Sequence, residues 1–196
     1  GARYSLVKQL GADYEVIIAF LWGTKAAFNQ GRPQPYEDPT AFSNFVTKMA
    51  ENVKAKGVNN FVFEVWNEPT STTGYWTGTE QQFFDTYYIA ERAIHAVLPN
   101  HKVAGPSVGD FDKGYMQRFL DYCLARGCEV NGLVWHELLM PGQSIAEVEK
   151  HLREMRQLIN DPKYASLNVE KMHINEYGSA WQQYWAGEAV AYLSAL

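Results

Sequence analysis

Five apolar runs recur along the chain with a helix-length stretch between each successive pair, and this alternation limits the possible folds more than any other feature. The runs are "EVIIAFL" (Glu15 to Leu21), "NFVFEVW" (Asn60 to Trp66), "KVAGPSV" (Lys102 to Val108), "GLVWHEL" (Gly132 to Leu138) and "VEKMHIN" (Val169 to Asn175). Their length and β-branched and aromatic content read as strands. Between them, Phe42, Phe45, Val46, Met49 and Val53 fall at helical steps before a stop at Gly57. Thr79 with Gln82 predicts a capped helix that Pro99 terminates, and "KGYMQRFLDYCLARG" a third helix ending at Gly127. Ser144 with Glu147 predicts a second capping box, opening a helix that stops before Asp161-Pro162, and "AGEAVAYLSAL" reads as a last helix.

Strands that alternate with helices belong to a parallel sheet covered by helices, either open and doubly wound or part of a (β/α)₈ barrel. No GxGxxG or GxxxxGK[ST] follows any strand, which removes the simplest reason to favour a nucleotide-binding open sheet. A complete eight-unit barrel takes about 250 residues, against 196 here. The expectation is therefore an α/β chain, residues 1–196, forming one (β/α) barrel domain of about five units, incomplete at both ends. "YSLVKQLGADY" reads as the tail of a helix whose strand is absent. Such a piece exposes two sheet edges, open to missing barrel segments or to self-association.

Bulk properties narrow the function. Seventeen Lys and Arg against 22 Asp and Glu, a formal net charge of −5 and no basic block leave nucleic acid without an electrostatic footprint. The sequence has no apolar run long enough to span a bilayer and no signal-peptide pattern, so no membrane span is expected and the compartment stays open. Cys123 and Cys128 do not have CxxC spacing; free thiols are the first reading and a short local disulfide the alternative.

The chemistry concentrates behind two strands. "VWNEP" puts Glu68 directly after the second strand, with Asn67 before it and Pro69 restricting its backbone toward extended geometry. "NEYG" repeats the pattern at Glu176, after the fifth strand. Strand ends of this kind carry the active sites of α/β barrels. Two carboxyl groups meeting there can cleave a glycosidic bond, one protonating the leaving oxygen and the other attacking the anomeric carbon. Their separation sets the stereochemistry: about 5 to 5.5 Å for retention, about 6.5 to 9.5 Å for inversion.

"VWNEP", "NEYG" and the intervening "WHE" resemble the signature of glycoside hydrolase clan A, most closely family 39 and its relatives. The resemblance implies a retaining (β/α)₈ barrel enzyme acting by double displacement on a β-linked oligo- or polysaccharide, with the strands here matching the third to seventh. It implies Glu68 as general acid/base, Glu176 as nucleophile, Asn67 as donor to the 2-hydroxyl, and His136 near the nucleophile, with no cofactor. The family's nucleophile motif more often reads Thr-Glu-Trp, a departure at "NEYG".

Other residues carry plainer readings. Glu64 shares the strand parity of Glu68 and is expected to be buried against an arginine. Glu137 alternates with His136 toward the helices, and His173 is expected to be a packing histidine. Without HExxH or HxH, no metal site is predicted. Trp22, Trp66, Trp135, Tyr177 and Trp181 lie in or beyond strand ends, where an aromatic face can stack on a sugar ring; packing is the competing reading. The loop from Trp22 to Pro39 is long enough to form a wall facing substrate. The rival function is a carbohydrate-binding or inactive barrel product.

Overall fold

The computed structural model describes residues 6, 9–11, 14–23, 32–70, 75–138 and 144–178. Five strands, β1 (Tyr14–Ile17), β2 (Phe61–Glu64), β3 (Lys102–Val108), β4 (Gly132–Leu138) and β5 (Lys171–Gly178), form one sheet in the order β1-β2-β3-β4-β5. Every pairing is parallel. Spatial order following chain order is the winding of a barrel, whereas a doubly wound sheet reverses direction at a switch point. The sheet curls until His173 Nδ1 on β5 lies 3.1 Å from the Glu15 carboxylate on β1, a contact between the two edge strands. The architecture is a partial (β/α) barrel.

The first run departs from its predicted form. The strand stops at Ile17 and a short helix, α1 (Ile18–Trp22), follows. Ile18, Ala19 and Trp22 are buried on one side of that turn while Phe20 and Leu21 are exposed, so a continuous apolar run that fits strand or helix is resolved here by tertiary packing.

The remaining helices are α2 (Pro39–Lys56), α3 (Glu80–Val97), α4 (Lys113–Arg126) and α5 (Ala146–Ile159). Asp38 caps α2 by accepting from Ala41 N at 3.0 Å, and Gly57 ends it at φ 59°. Thr79 forms the predicted reciprocal capping box: its hydroxyl accepts from Gln82 N at 3.2 Å and Gln82 Oε1 accepts from Thr79 N at 2.7 Å. The second predicted box does not form. The helix begins at Ala146 after Ile145, which places Glu147 too early to reach back, and Ser144 Oγ accepts from Ala146 N at 3.3 Å instead. A 3-10 turn, Pro162–Leu167, then leads into β5.

The helices bury one stripe each against the outer face of the sheet. Phe42, Val46 and Val53 of α2, Phe83, Tyr87 and Ile94 of α3, and Met116, Phe119 and Leu120 of α4 have no accessible surface. They meet Phe63, Val103, Leu133 and Trp135 in one cluster, each large side chain contributing about 1.5 to 3 kcal/mol by leaving water. On the inner face Val62, Ala104 and Val134 form a small separate cluster. Cys123 and Cys128 are buried free thiols, in line with the first reading. No described helix is long and apolar enough to cross a membrane.

The predicted terminal helix, Trp181, and most of the predicted helix tail before Glu15 lie outside the described residues.

Candidate active site

Glu68 follows β2, but its backbone is not extended. It sits at φ 46°, in the left-handed region, where a non-glycine residue carries a strain of roughly 1 to 2 kcal/mol. The proline behind it was expected to favour extended geometry; the local bonding overrides that preference. Glu68 N donates to Ser107 O at 2.8 Å, tying the residue to β3. Gly109 backs the side chain, and a Cβ there would lie 3.2 Å from Cγ, Cδ and Oε1 of Glu68. Only a glycine lets the backbone come so close without displacing the carboxyl group.

Two register slips aim the neighbouring groups. Between β3 and β4 the pairing moves from Pro106↔Val134 to Val108↔Trp135, leaving Ser107 as an extra residue at φ 63°. Between β4 and β5 it moves from Trp135↔Ile174 to Glu137↔Tyr177, so one residue of the Asn175-Glu176 pair is extra. Bulges re-aim side chains at sheet ends. Here the second one lets Asn175 bond inward to Glu64 while its neighbour Glu176 also reaches the mouth of the sheet. Glu176 consequently lies within β5, which extends to Gly178 rather than ending at Asn175.

His136 on β4 is fully buried and faces inward. Its Nδ1 lies 3.1 Å from Glu68 Oε1, a hydrogen bond, and 3.8 Å from Glu176 Oε2, which is longer than one. Its Nε2 has no partner among the described residues. We assign the proton to Nδ1, which donates to Glu68 and leaves a lone pair, not an N–H, unpaired at Nε2. One donor atom from each of Glu68, His136 and Glu176 lies within 4.8 Å of the others. The same atoms are a donor set that a divalent cation could use.

Asn67, beside Glu68, is 2% exposed, and its Oδ1 is buried without a partner among the described residues. Tyr177 is exposed at the β5 end. The three described tryptophans among the predicted stacking residues are elsewhere. Trp22 packs edge-on against Phe42 and Phe45, carries the Arg32 guanidinium 4.8 Å over its ring, and donates to Pro33 O at 2.9 Å. Trp66 packs between Phe42 and Trp76, with ring centres 6.3 and 5.4 Å away. Trp135 donates to Glu137 Oε1 at 2.6 Å. All three are at most 1% exposed and offer no free face to a sugar. Alternation after β2 breaks at its end, so Trp66 turns toward the helices and backs the site from behind. Glu137 faces the helices, as its alternation with His136 predicts, and bonds His151 Nδ1 of α5 at 3.0 Å.

Glu64 is buried with neutral partners in place of the expected arginine. Ser107 Oγ donates to Glu64 Oε1, and Asn175 Nδ2 donates to Oε2 at 2.7 Å. Burial pushes its carboxyl up to about 7 from 4.5, opposed by those two bonds; the Glu15 charge adds to the rise and His173 opposes it. His173 is half-buried and paired with Glu15 rather than simply packed. Ser107, Gly109 and Asn175 escaped the sequence reading. Only Asn175 left a signal, the repeat of Asn-Glu at both strand ends.

Comparison with known proteins identifies the family to which this fold belongs. The model of glycosyl hydrolases family 39 matches residues 13–187. The chain is 24% identical over 151 residues to a beta-xylosidase of Geobacillus stearothermophilus, covering 69% of this chain and 29% of that protein. A solved structure from Neocallimastix frontalis is similar with TM-score 0.63 and 26% identity, over 90% of this chain and 40% of the other. A monomeric beta-xylosidase from Caulobacter crescentus matches with TM-score 0.57 and 23% identity, over 69% of this chain and 30% of its own, a likeness of fold. The chain spans less than a third of the length of the curated relatives it matches. With the family matched across most of its residues and the barrel winding observed, the chain belongs to glycosyl hydrolases family 39.

Proposed function

We propose that this chain carries the catalytic centre of a retaining glycoside hydrolase that cleaves O-glycosidic bonds of a β-linked saccharide. The observation that carries the reading is the approach of two strand-end carboxylates, Glu68 and Glu176, with donor oxygens within 4.8 Å of one another. So close an approach supports a double displacement, whose carboxyl groups stand about 5 to 5.5 Å apart, over the wider spacing of an inverting enzyme. Glu176, with 43% of its side chain exposed, attacks the anomeric carbon and forms a glycosyl ester. Glu68 gives its proton to the leaving oxygen, then takes one from the water that releases the ester. Asn67 supplies an amide beside the sugar for the 2-hydroxyl. His136 holds Glu68 through Nδ1 and fixes the direction of its carboxyl group.

The names of the relatives make an aryl β-xyloside the first substrate to try. Glu176→Gln is expected to abolish its turnover, whereas Glu68→Gln keeps glycosyl transfer from an activated aryl glycoside and loses about 10²- to 10⁴-fold on a poor leaving group. Equal, small effects from the two changes would remove these roles.

On this reading residues 1–196 belong to one catalytic (β/α) barrel domain, and carbohydrate is its partner. A second reading is favoured by the sheet, in which β1 and β5 are edges among the described residues: binding of a saccharide without hydrolysis. Calorimetric binding of xylo-oligosaccharides with no reducing ends released over long incubation selects it.

A further inference from the structure

The two register slips have one partner in common. Ser107 is the extra residue of β3, Asn175 stands at the slip in β5, and both side chains bond the same buried carboxyl group, that of Glu64 on β2. Each bonded residue leads directly to a strand-end glutamate. Ser107 accepts the Glu68 N–H through its carbonyl at 2.8 Å, and Asn175 immediately precedes Glu176 in the chain.

We infer that Glu64 is a positioning residue, a buried clamp that fixes both bulges from below and thereby sets the separation of Glu68 and Glu176. The inference rests on the hydrolase reading above. It follows from where the bonds are. The β3–β4 register passes over Ser107 and the β4–β5 register passes over Asn175 and Glu176, so the strand ladder restrains these residues less than their neighbours. Glu64 supplies that restraint to both with the two oxygens of one group. Rotation at Ser107 would carry the carbonyl that anchors Glu68 N; rotation at Asn175 would carry the backbone of Glu176. An error of about 1 Å in such placements costs on the order of 100-fold in rate.

Glu15 of β1 and His173 of β5 are the charged neighbours that act on Glu64, and they pair with each other. The hydrogen-bonding partners are neutral. A clamp of this kind needs two polar atoms at the right distance and no charge, which makes glutamine a functional replacement: its amide oxygen accepts from Asn175 and its NH₂ donates to Ser107 Oγ.

The test compares Glu64→Gln and Glu64→Val in the full chain, with kcat and KM on an aryl β-xyloside, thermal unfolding, and a crystal structure of each variant. The expected result is a kcat lowered about 100-fold in Glu64→Val at a temperature where it remains folded, KM changed little, and most activity restored in Glu64→Gln. The crystal structure of Glu64→Val should show Ser107 or Asn175 rotated and the carboxylates moved apart. An active wild type with equal kcat in folded Glu64→Val, or carboxylates unmoved in its crystal structure, overturns the clamp. A wild type inactive on every saccharide overturns the hydrolase reading instead, and the carboxylate separation in the variant still decides the positioning role. If Glu64→Val does not fold, Asn175→Ala and Ser107→Ala remove one arm each; unchanged kcat in both overturns the proposal.

Discussion

The two strand ends that meet at the site are built in opposite ways. At the end of β2 the carboxylate is enclosed: 11% of the Glu68 side chain is accessible, and the residue is left-handed, bonded to β3 through its backbone and to β4 through His136, and pressed against Gly109. At the end of β5 the carboxylate is open: 43% of the Glu176 side chain is accessible, and the residue lies inside a strand that is an edge among the described residues, with none of the left-handed strain. A residue that moves a proton to and from an oxygen must be held at one angle, and enclosure does that. A residue that must form a bond to carbon needs a free approach. The difference suits the roles proposed for the two glutamates.

Glu64, which touches both sides, is where the comparison breaks most deeply if it is wrong. Its carboxyl, raised to about 7, keeps in the folded state a proton that the unfolded chain releases near 4.5. Its contribution to stability is fully present below pH 4.5 and is lost as pH rises through about 7, a decline of about 3 kcal/mol when complete. Urea unfolding across that range should show the decline in the wild type and a flatter profile in Glu64→Gln. Identical profiles would mean that Glu64 is not the buried acid it is taken to be.

Next in size is Gly109→Ala. The added Cβ, at 3.2 Å from Glu68, has to push the carboxyl aside, and kcat should fall about 10- to 100-fold with little change in thermal midpoint. Tyr177→Phe is the matching change on the open side. It alters an exposed side chain next to Glu176, and its effect should stay within about threefold because no enclosing wall is disturbed. Comparable losses from the two would erase the contrast between closed and open ends. The smallest effect expected is from exhaustive chelation. With His136 Nδ1 engaged as a donor to Glu68, activity should be unchanged; a loss restored by zinc or manganese would reassign the three side chains as ligands.

Much of this was legible in the sequence, for physical reasons. Strands β3 and β4 were read with their observed ends because each is an uninterrupted buried segment between turn signals, and Gly57 and Gly127 marked helix ends because a left-handed stop favours glycine. Glu68 and Glu176, which the structure brings together at one end of the sheet, stood out because asparagine and glutamate behind an apolar strand have no packing reason to be there. What escaped depends on long-range geometry. Ser107 and Asn175 matter through register slips, which no local pattern encodes, and Gly109 through a contact with a residue far away in the chain. Trp22, Trp66 and Trp135 turn out to be packed away from the site, because strand-end position does not tell which face a side chain takes once the strand stops alternating. Glu64 was placed correctly as buried, but its partners belong to two other strands.

The wall behind Glu68 has an optical consequence. Trp66 and Trp76 lie with ring centres 5.4 Å apart and planes at 80°, close enough for their excited states to mix. Such a pair produces a signed couplet in circular dichroism that isolated indoles do not. The signal arises one residue from Asn67 and two from Glu68, so it follows the integrity of the backing to that strand end with no substrate present and no label added. Inactive variants can thereby be sorted into those with an intact wall and a displaced carboxylate, and those in which the wall itself has come apart.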